Sequence, residues 1–313
     1  MRTLSVLAIG LISLSALRIA NAQEVQHRLI GQDRGHAAIL DKDGKVEWMV
    51  DVPFTSHDIS ALPNGNFLLH MGPNTVTEMT PAKEVVWTYT AKPVAPYTGA
   101  VEVHGFQRLK DGLTLVAETG NKRLVEVDKA GNVVHSIPLT VDNPNSHRDT
   151  RLVRKLDNGN YLVCHEADAT VREYDSTGKV VWHYTLDLNN QPRTPNHDGH
   201  GVEVFGAVRL KNGNTLIAGG NNNRVLEVTK DGKIVWTIER DELPGIHLCW
   251  VTTLQVLPNG HIVFGNTHAG PNNPQLVEVT KDKKVVWTLK NFDTFGNDLC
   301  ATQLLDVKGK VIR

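Results

Sequence analysis

The sequence predicts an all-β fold, a six-bladed β-propeller of four-stranded antiparallel blades whose ring is closed by pairing N- and C-terminal strands. Three observations predict it. One short motif recurs six times, Asn-Gly or Asp-Gly turns punctuate the chain between apolar runs, and no stretch after residue 22 carries a helical period.

The recurring motif is the outermost strand of each unit. DGKVEW ends at Trp48, AKEVVW at Trp87, AGNVVH at His135, TGKVVW at Trp182, DGKIVW at Trp236 and DKKVVW at Trp287. Five of the six tryptophans occupy this slot, and only Trp250 lies elsewhere. Upstream come the first two strands and their turn: LPNGNFLL, LKDGLTLV, LDNGNYLV, LKNGNTLI and LPNGHIVF. Asn-Gly and Asp-Gly are strong hairpin signals because both residues tolerate positive φ. The third strand reads VTEM, LVEV, VREY, VLEV and LVEV. Four antiparallel strands every ~40–50 residues are the mark of propeller blades.

The two ends supply the sixth blade. His27 to Val50 holds the later strands of a unit without a first strand, and Asn297 to Asp306 (NDLCATQLLD) is a first strand without the rest. Pairing them leaves no open sheet edge. Both RLIG near Arg28 and KVIR at the end resemble the second strand, so either terminus can fill that place.

Residues 1–22 read as a signal peptide. Met1-Arg2 precedes an apolar run from Leu4 to Leu17, and Ala20-Asn21-Ala22 offers a small-x-small cleavage pattern before Gln23. Arg18 fits less well, which leaves an uncleaved anchor as the alternative. The run is short for a membrane-spanning helix, and no later stretch is apolar enough to cross. Residues 23–313 are then a single propeller domain, periplasmic or secreted. The 313-residue chain has a net charge of −1, without the basic excess that a nucleic-acid partner demands. Of three cysteines, Cys249 and Cys300 lie in similar regions of adjacent repeats and are the expected disulfide pair, leaving Cys164 as a thiol.

The Gly-Lys-x-x-Trp slots with Asn-Gly-Asn-x-Leu strands resemble the PQQ-like propeller superfamily. Within it, His200 to Trp236 (HGVEVFGAVRLKNGNTLIAGGNNNRVLEVTKDGKIVW) is similar to a blade of the arylsulfotransferase-type propellers. The resemblance covers nearly the whole chain after residue 22, through motifs that build blades. It implies a transferase in which a funnel histidine is transiently sulfated with help from other His and Arg residues. The catalytic motif of those enzymes is not matched residue by residue, and the extra sequence they usually carry is missing. PQQ itself is not expected: the adjacent cysteine pair and the additional blades of quinone-dependent dehydrogenases are both lacking.

The repeats separate frame from site. The slot tryptophan and the third-strand glutamates (Glu78, Glu126, Glu173, Glu227 and Glu278) recur from blade to blade and are read as inter-blade frame. Arg123 and Arg224, just before that strand, are expected on the surface. The first strands vary instead. Counted back from the turn, one position holds His57, His104, Arg151, Phe205 and Thr252, while another, further back, holds His200 and His247 with His147 beside it. A first strand begins beside the propeller axis, so His57, His104, His147, His200 and His247 are expected to converge on the funnel. Arg148, Asp149, His197 and Asp198 lie in the longer approaches SHRDTR and PNHDGHG, read as loops over one mouth. His36, His70, His135, His183 and His261 are assigned to turns and frame strands, and any single strand histidine is more often a satisfied core residue than a ligand.

Three readings follow. In the first, His200 is the nucleophile of a sulfuryl transfer, with His57, His104, His147, His247, Arg148 and Arg151 as the other catalytic residues stabilising the transferred oxygens. In the second, His57, His104, His147, His200 and His247 supply three or four ligands to a divalent transition metal acting on a sugar acid or ester, with Asp149 or Asp198 in support. In the third, the propeller is a non-catalytic scaffold that binds a glycan, peptide or protein partner. A small-molecule or saccharide ligand in the funnel is common to the first two.

Overall fold

The computed structural model describes residues 26–187 and 204–313, and no helix occurs among them. Its strands form six four-stranded antiparallel sheets. After β1 (Leu29–Asp33), β2 (His36–Leu40) and β3 (Val46–Asp51) come five complete blades in chain order. Blade two is β4 (Ser60–Ala61), β5 (Phe67–Gly72), β6 (Thr75–Met79) and β7 (Val85–Thr90). Blade three is β8 (Glu102–Arg108), β9 (Thr114–Thr119), β10 (Arg123–Val127) and β11 (Val133–Pro138). Blade four is β12 (Val153–Lys155), β13 (Tyr161–His165), β14 (Thr170–Tyr174) and β15 (Val180–Thr185). Blade five is β16 (Gly206–Arg209), β17 (Thr215–Ala218), β18 (Val225–Val228) and β19 (Ile234–Ile238). Blade six is β20 (Trp250–Val256), β21 (Ile262–Thr267), β22 (Leu276–Val279) and β23 (Val285–Leu289).

The last strand, β24 (Ala301–Leu304), pairs with β1 through Leu29↔Leu304 to Gln32↔Ala301 and completes blade one. RLIG therefore fills the second-strand place. The competing KVIR segment only bridges sideways, Ile312 to Val256.

Sequence pattern follows burial. The second strands are buried on both faces, as in YLVCH of β13, and so read as apolar runs. The outermost strands alternate, as in VVWHYT of β15, because one face meets water. The core is a set of layers between blades rather than one central mass. Leu68, Val76 and Trp87 of blade two, for example, pack on Val103, Phe106 and Val125 of blade three. Glycine at the first hairpin holds a positive φ, 86° at Gly65 and 89° at Gly159, which explains the invariant turn chemistry within the chain.

The repeated Trp and Glu are frame, as their recurrence predicts. Trp87 Nε1 donates to Asp128 O of the next blade at 3.1 Å, and Trp182 Nε1 to Lys230 O at 2.8 Å. Each glutamate lies opposite the slot residue, Glu78↔Trp87 and Glu173↔Trp182, at a recurring bulge. Glu173 accepts from Asn158 and Asn160 of its own turn and from Arg209 of the next blade at 2.7 Å. Arg224 corrects the surface expectation. It is buried, and its guanidinium is held by Asp187 and Asn222.

Blades three and four approach closely at Gly105. A Cβ there would lie 2.6 Å from Arg151 O and 2.9 Å from Val153 N, both backbone atoms that cannot swing away. Gly105→Ala is expected to lower unfolding stability by about 1–3 kcal/mol. An unchanged urea midpoint would show that the two backbones separate freely.

Candidate functional site

The inner strands set a common level at the axis. Ala61, Arg108, Lys155, Arg209, Val256 and Leu304 pair with the first residue of their neighbouring strands. Four residues before each stand His57, His104, Arg151, Phe205, Thr252 and Cys300. All six are buried, and they fill the axis. His57 lies 4.4 Å, between ring centroids, from His104 and 6.1 Å from Phe205, which comes from the opposite side of the ring. Trp250 packs against both Phe205 at 5.3 Å and His57 at 6.3 Å. This is an aromatic floor closed to water.

Above the floor stand Glu102 and His147. Glu102 is two residues before His104 on β8. Its Oε2 lies 2.8 Å from His104 Nε2 and 2.8 Å from His147 Nδ1. Exposure rises along this group, from 0% at the His104 side chain to 21% at Glu102 and 47% at His147, so the group faces the funnel mouth. Arg151 supports it from beneath. Its Nη1 donates to His147 O at 2.6 Å and also to His104 Nδ1, and its Nη2 pairs with the buried Glu166 at 2.5 Å. Thr150 O lies 3.0 Å from the same His104 Nδ1.

His104 Nδ1 faces both the Arg151 guanidinium, which only donates, and Thr150 O, which only accepts. Its hydrogen is therefore on Nε2 toward Glu102 in one tautomer and on Nδ1 toward Thr150 O in the other. Burial, then the Arg151 charge, pushes the His104 pKa down to about 3, so the ring is neutral at neutral pH. Burial pushes His57 well down too, again with Arg151 adding to it. His57 Nδ1 is buried without a hydrogen-bond partner. At Glu102 the bonds from His104 and His147 outweigh the opposing effect of burial and hold the carboxyl far below the usual range.

Glu102, His104 and His147 each offer one ligand atom, all within 4.8 Å of one another. Two imidazoles and a carboxylate around an open mouth suit a divalent ion with free coordination positions. The outer shell fits as well. With Nε2 turned to a metal, His104 Nδ1–H has Thr150 O as acceptor, the arrangement that usually orients a ligating histidine.

Of the residues singled out from the sequence, the structure gathers His57, His104, His147 and Arg151. His247 stands apart, its Nδ1 on Asp241 at 2.6 Å. Arg148 is half-buried in the loop beside His147, its N–H on Asn145 O. The Asp149 carboxylate is turned to backbone, accepting from Asn145 N at 2.6 Å and Gly120 N at 3.0 Å. His197, Asp198 and His200, the nucleophile of the first reading, lie outside the described residues. The expected Cys249–Cys300 disulfide is corrected, since all three cysteines are free thiols. Cys300 occupies the axial level of Thr252, so Cys249, three residues earlier, is not its structural counterpart. Glu102 and Glu166 escaped the sequence reading, and Cys300 was read there as a disulfide partner and not as an axial residue. Glu102 carried a usable signal, since alternate residues on a strand share a face.

Comparison with known proteins adds the following. The PQQ_2 family, described as outer membrane protein assembly factor BamB, matches residues 33–289. No curated protein matches the chain. A protein of unknown function from Bacteroides caccae is 23% identical, with a TM-score of 0.75 over 91% of this chain and 100% of that one. A streptogramin B lyase is 14% identical, with a TM-score of 0.56 over 82% and 77% of the two chains. An inactive variant of virginiamycin B lyase from Staphylococcus aureus, with quinupristin, is 11% identical with a TM-score of 0.53 over 84% of each chain. At these identities the structures share the fold alone.

Proposed function

The chain belongs to the PQQ_2 family of BamB-type propellers, and on that premise we propose that its funnel is a divalent-metal site serving a lyase or hydrolase reaction on a sugar acid or ester. The observation that carries this reading is the convergence of Glu102, His104 and His147 within 4.8 Å at an open mouth. A bound divalent ion supplies Lewis acidity toward a carbonyl or carboxylate oxygen. The chain does the rest. Arg151, anchored on Glu166 and His147 O, fixes the His147 loop against β8. Phe205, Trp250 and His57 keep water from the site's lower side, which strengthens every charge interaction above them.

Sulfuryl transfer is less well served by the same geometry. A sulfuryl group in this mouth meets the Glu102 carboxylate, which repels its oxygens and lies 2.8 Å from His104 Nε2. An exported location, expected from residues 1–22, accords with the outer-membrane description of the family. That description also favours a second reading, a scaffold that binds a protein partner.

Metal content of the purified protein after equilibration with Zn²⁺, Mn²⁺ or Mg²⁺ tests the proposal. One ion per chain is expected, with affinity weakened by at least about 100-fold in His147→Ala and Glu102→Gln. His147 is half exposed, so its removal leaves the fold intact. A wild-type chain that retains none of these ions sinks the metal reading and leaves the scaffold.

A further inference from the structure

We propose that the face opposite the metal site holds a second binding site, a cationic groove for a phosphate-bearing small molecule. It lies at the far ends of inner strands β8, β12 and β16, about 20 Å along the strand direction from Glu102. The groove has a volume of about 1030 Å³, and nine cationic side chains line it against three carboxylates. Asp58, Glu78 and Glu126, behind the wall, pair with Arg154, Arg108 and Lys155. Among the described side chains three positive charges therefore stay uncompensated, on a chain whose net charge is −1.

The floor shows where the excess is costly. Arg154 holds Asp58 through two nitrogens, at 2.7 and 3.1 Å, and Arg313 reaches the same carboxylate at 3.3 Å. Two guanidiniums thus share one carboxylate, with Arg154 buried and the Arg313 side chain only 18% exposed. Burial, followed by the charge of Arg154, pushes the Arg313 pKa down to about 10. A desolvated charge without its own counterion is unfavourable, and an anion entering the groove relieves it.

The rim continues the pattern. Lys110 and Lys310 share Asp157 at 3.2 and 3.3 Å, and Lys211 and Lys230 have no ion-pair partner among the described residues. The guanidiniums of Arg154 and Arg313 give their N–H groups to Asp58, Val153 O, Gln303 and Ile59 O and so supply positive field to the floor. The compact ammonium groups above them are placed to meet phosphate oxygens. One phosphate carries nearly two negative charges, so one or two such groups match an excess of three in a space this size.

Titration of tripolyphosphate into the full chain, dialysed against a chelator so that no metal mediates binding, tests the site. Calorimetric binding is expected at low ionic strength and should weaken steeply as salt is added. Lys211→Glu with Lys230→Glu should raise Kd by about tenfold or more, since both side chains are exposed and the fold does not need them. His147→Ala should leave Kd unchanged, which separates this site from the funnel. No binding at low salt, or a Kd unmoved by the double charge reversal, overturns the proposal. Citrate binding as tightly as tripolyphosphate overturns the choice of phosphate.

Discussion

Arg151→Met is expected to remove roughly 3–5 kcal/mol from the stability of the propeller, because it leaves the buried Glu166 carboxylate without the guanidinium that faces it. Neither side chain has any exposure, so water cannot take the place of the lost partner. The substitution also withdraws a donor from His147 O and from His104 Nδ1, which loosens the loop over the funnel. Equilibrium unfolding in urea measures the loss. Adding Glu166→Gln to the same chain should recover part of it, since a neutral amide costs less to bury than a lone carboxylate. A single mutant as stable as the wild type would mean that Glu166 is already protonated or otherwise balanced.

Acid is expected to have an effect of similar size. His70 and His165 lie far from solvent, and burial pushes each pKa down to about 4 from the ordinary 6.5. At His165 the neighbouring Arg172 adds to burial, while Asp168 and Asp142 oppose it. At His70 the opposing charges are Asp58 and Glu102. The sign follows from proton binding. Below 6.5 the unfolded chain takes up protons that the folded rings refuse, so the stability these two rings contribute falls as pH drops toward 4 and levels off beneath it, while His104 and His57 carry the decline further. Each ring contributes up to about 1.4 kcal/mol per pH unit, or roughly 3 kcal/mol across the window. Urea midpoints measured through this range should decline accordingly. His165→Asn should lower stability at neutral pH and flatten the slope. A wild-type midpoint constant between 6.5 and 4 would show that these rings are protonated in the folded state.

How much of this was legible in the sequence depended on where the β-ladder holds. Blades were readable because each strand has its own turn or slot motif, and counting back from Asn-Gly reached His57, His104 and Arg151 within or just before inner strands. The count failed beyond the strands. His147 and His247 sit in loops of unequal length, where equal sequence offset no longer means equal height, so one joins the cluster and the other does not. Cys300 was missed as an axial residue because β24 has no Asn-Gly turn after it to count from; its partner hairpin lies at the other end of the chain. Glu102 was overlooked for a different reason. It stands two residues before His104, at neither of the positions counted back from the turn, and only its contacts reveal that two imidazoles share it. The buried Arg224 shows the same limit, since its placement follows from the Asp187 and Asn222 contacts rather than from strand order.

The pairing of β1 with β24 joins Leu29 to Leu304, nearly the full length of the described chain. Until Leu304 has emerged from the ribosome and, if the chain is exported, from the translocation channel, Leu29 to Asp33 has no inner neighbour. A growing chain with five formed blades therefore leaves the inner edge of β1 unpaired and the apolar faces of its end blades uncovered. The β1–β24 pairing that covers that edge closes the longest loop among the paired strands, so it carries the largest loop-closure entropy and is formed last. The interval before closure is when this protein is most open to pairing with a second copy of itself, and cellular factors that hold extended strands would act then.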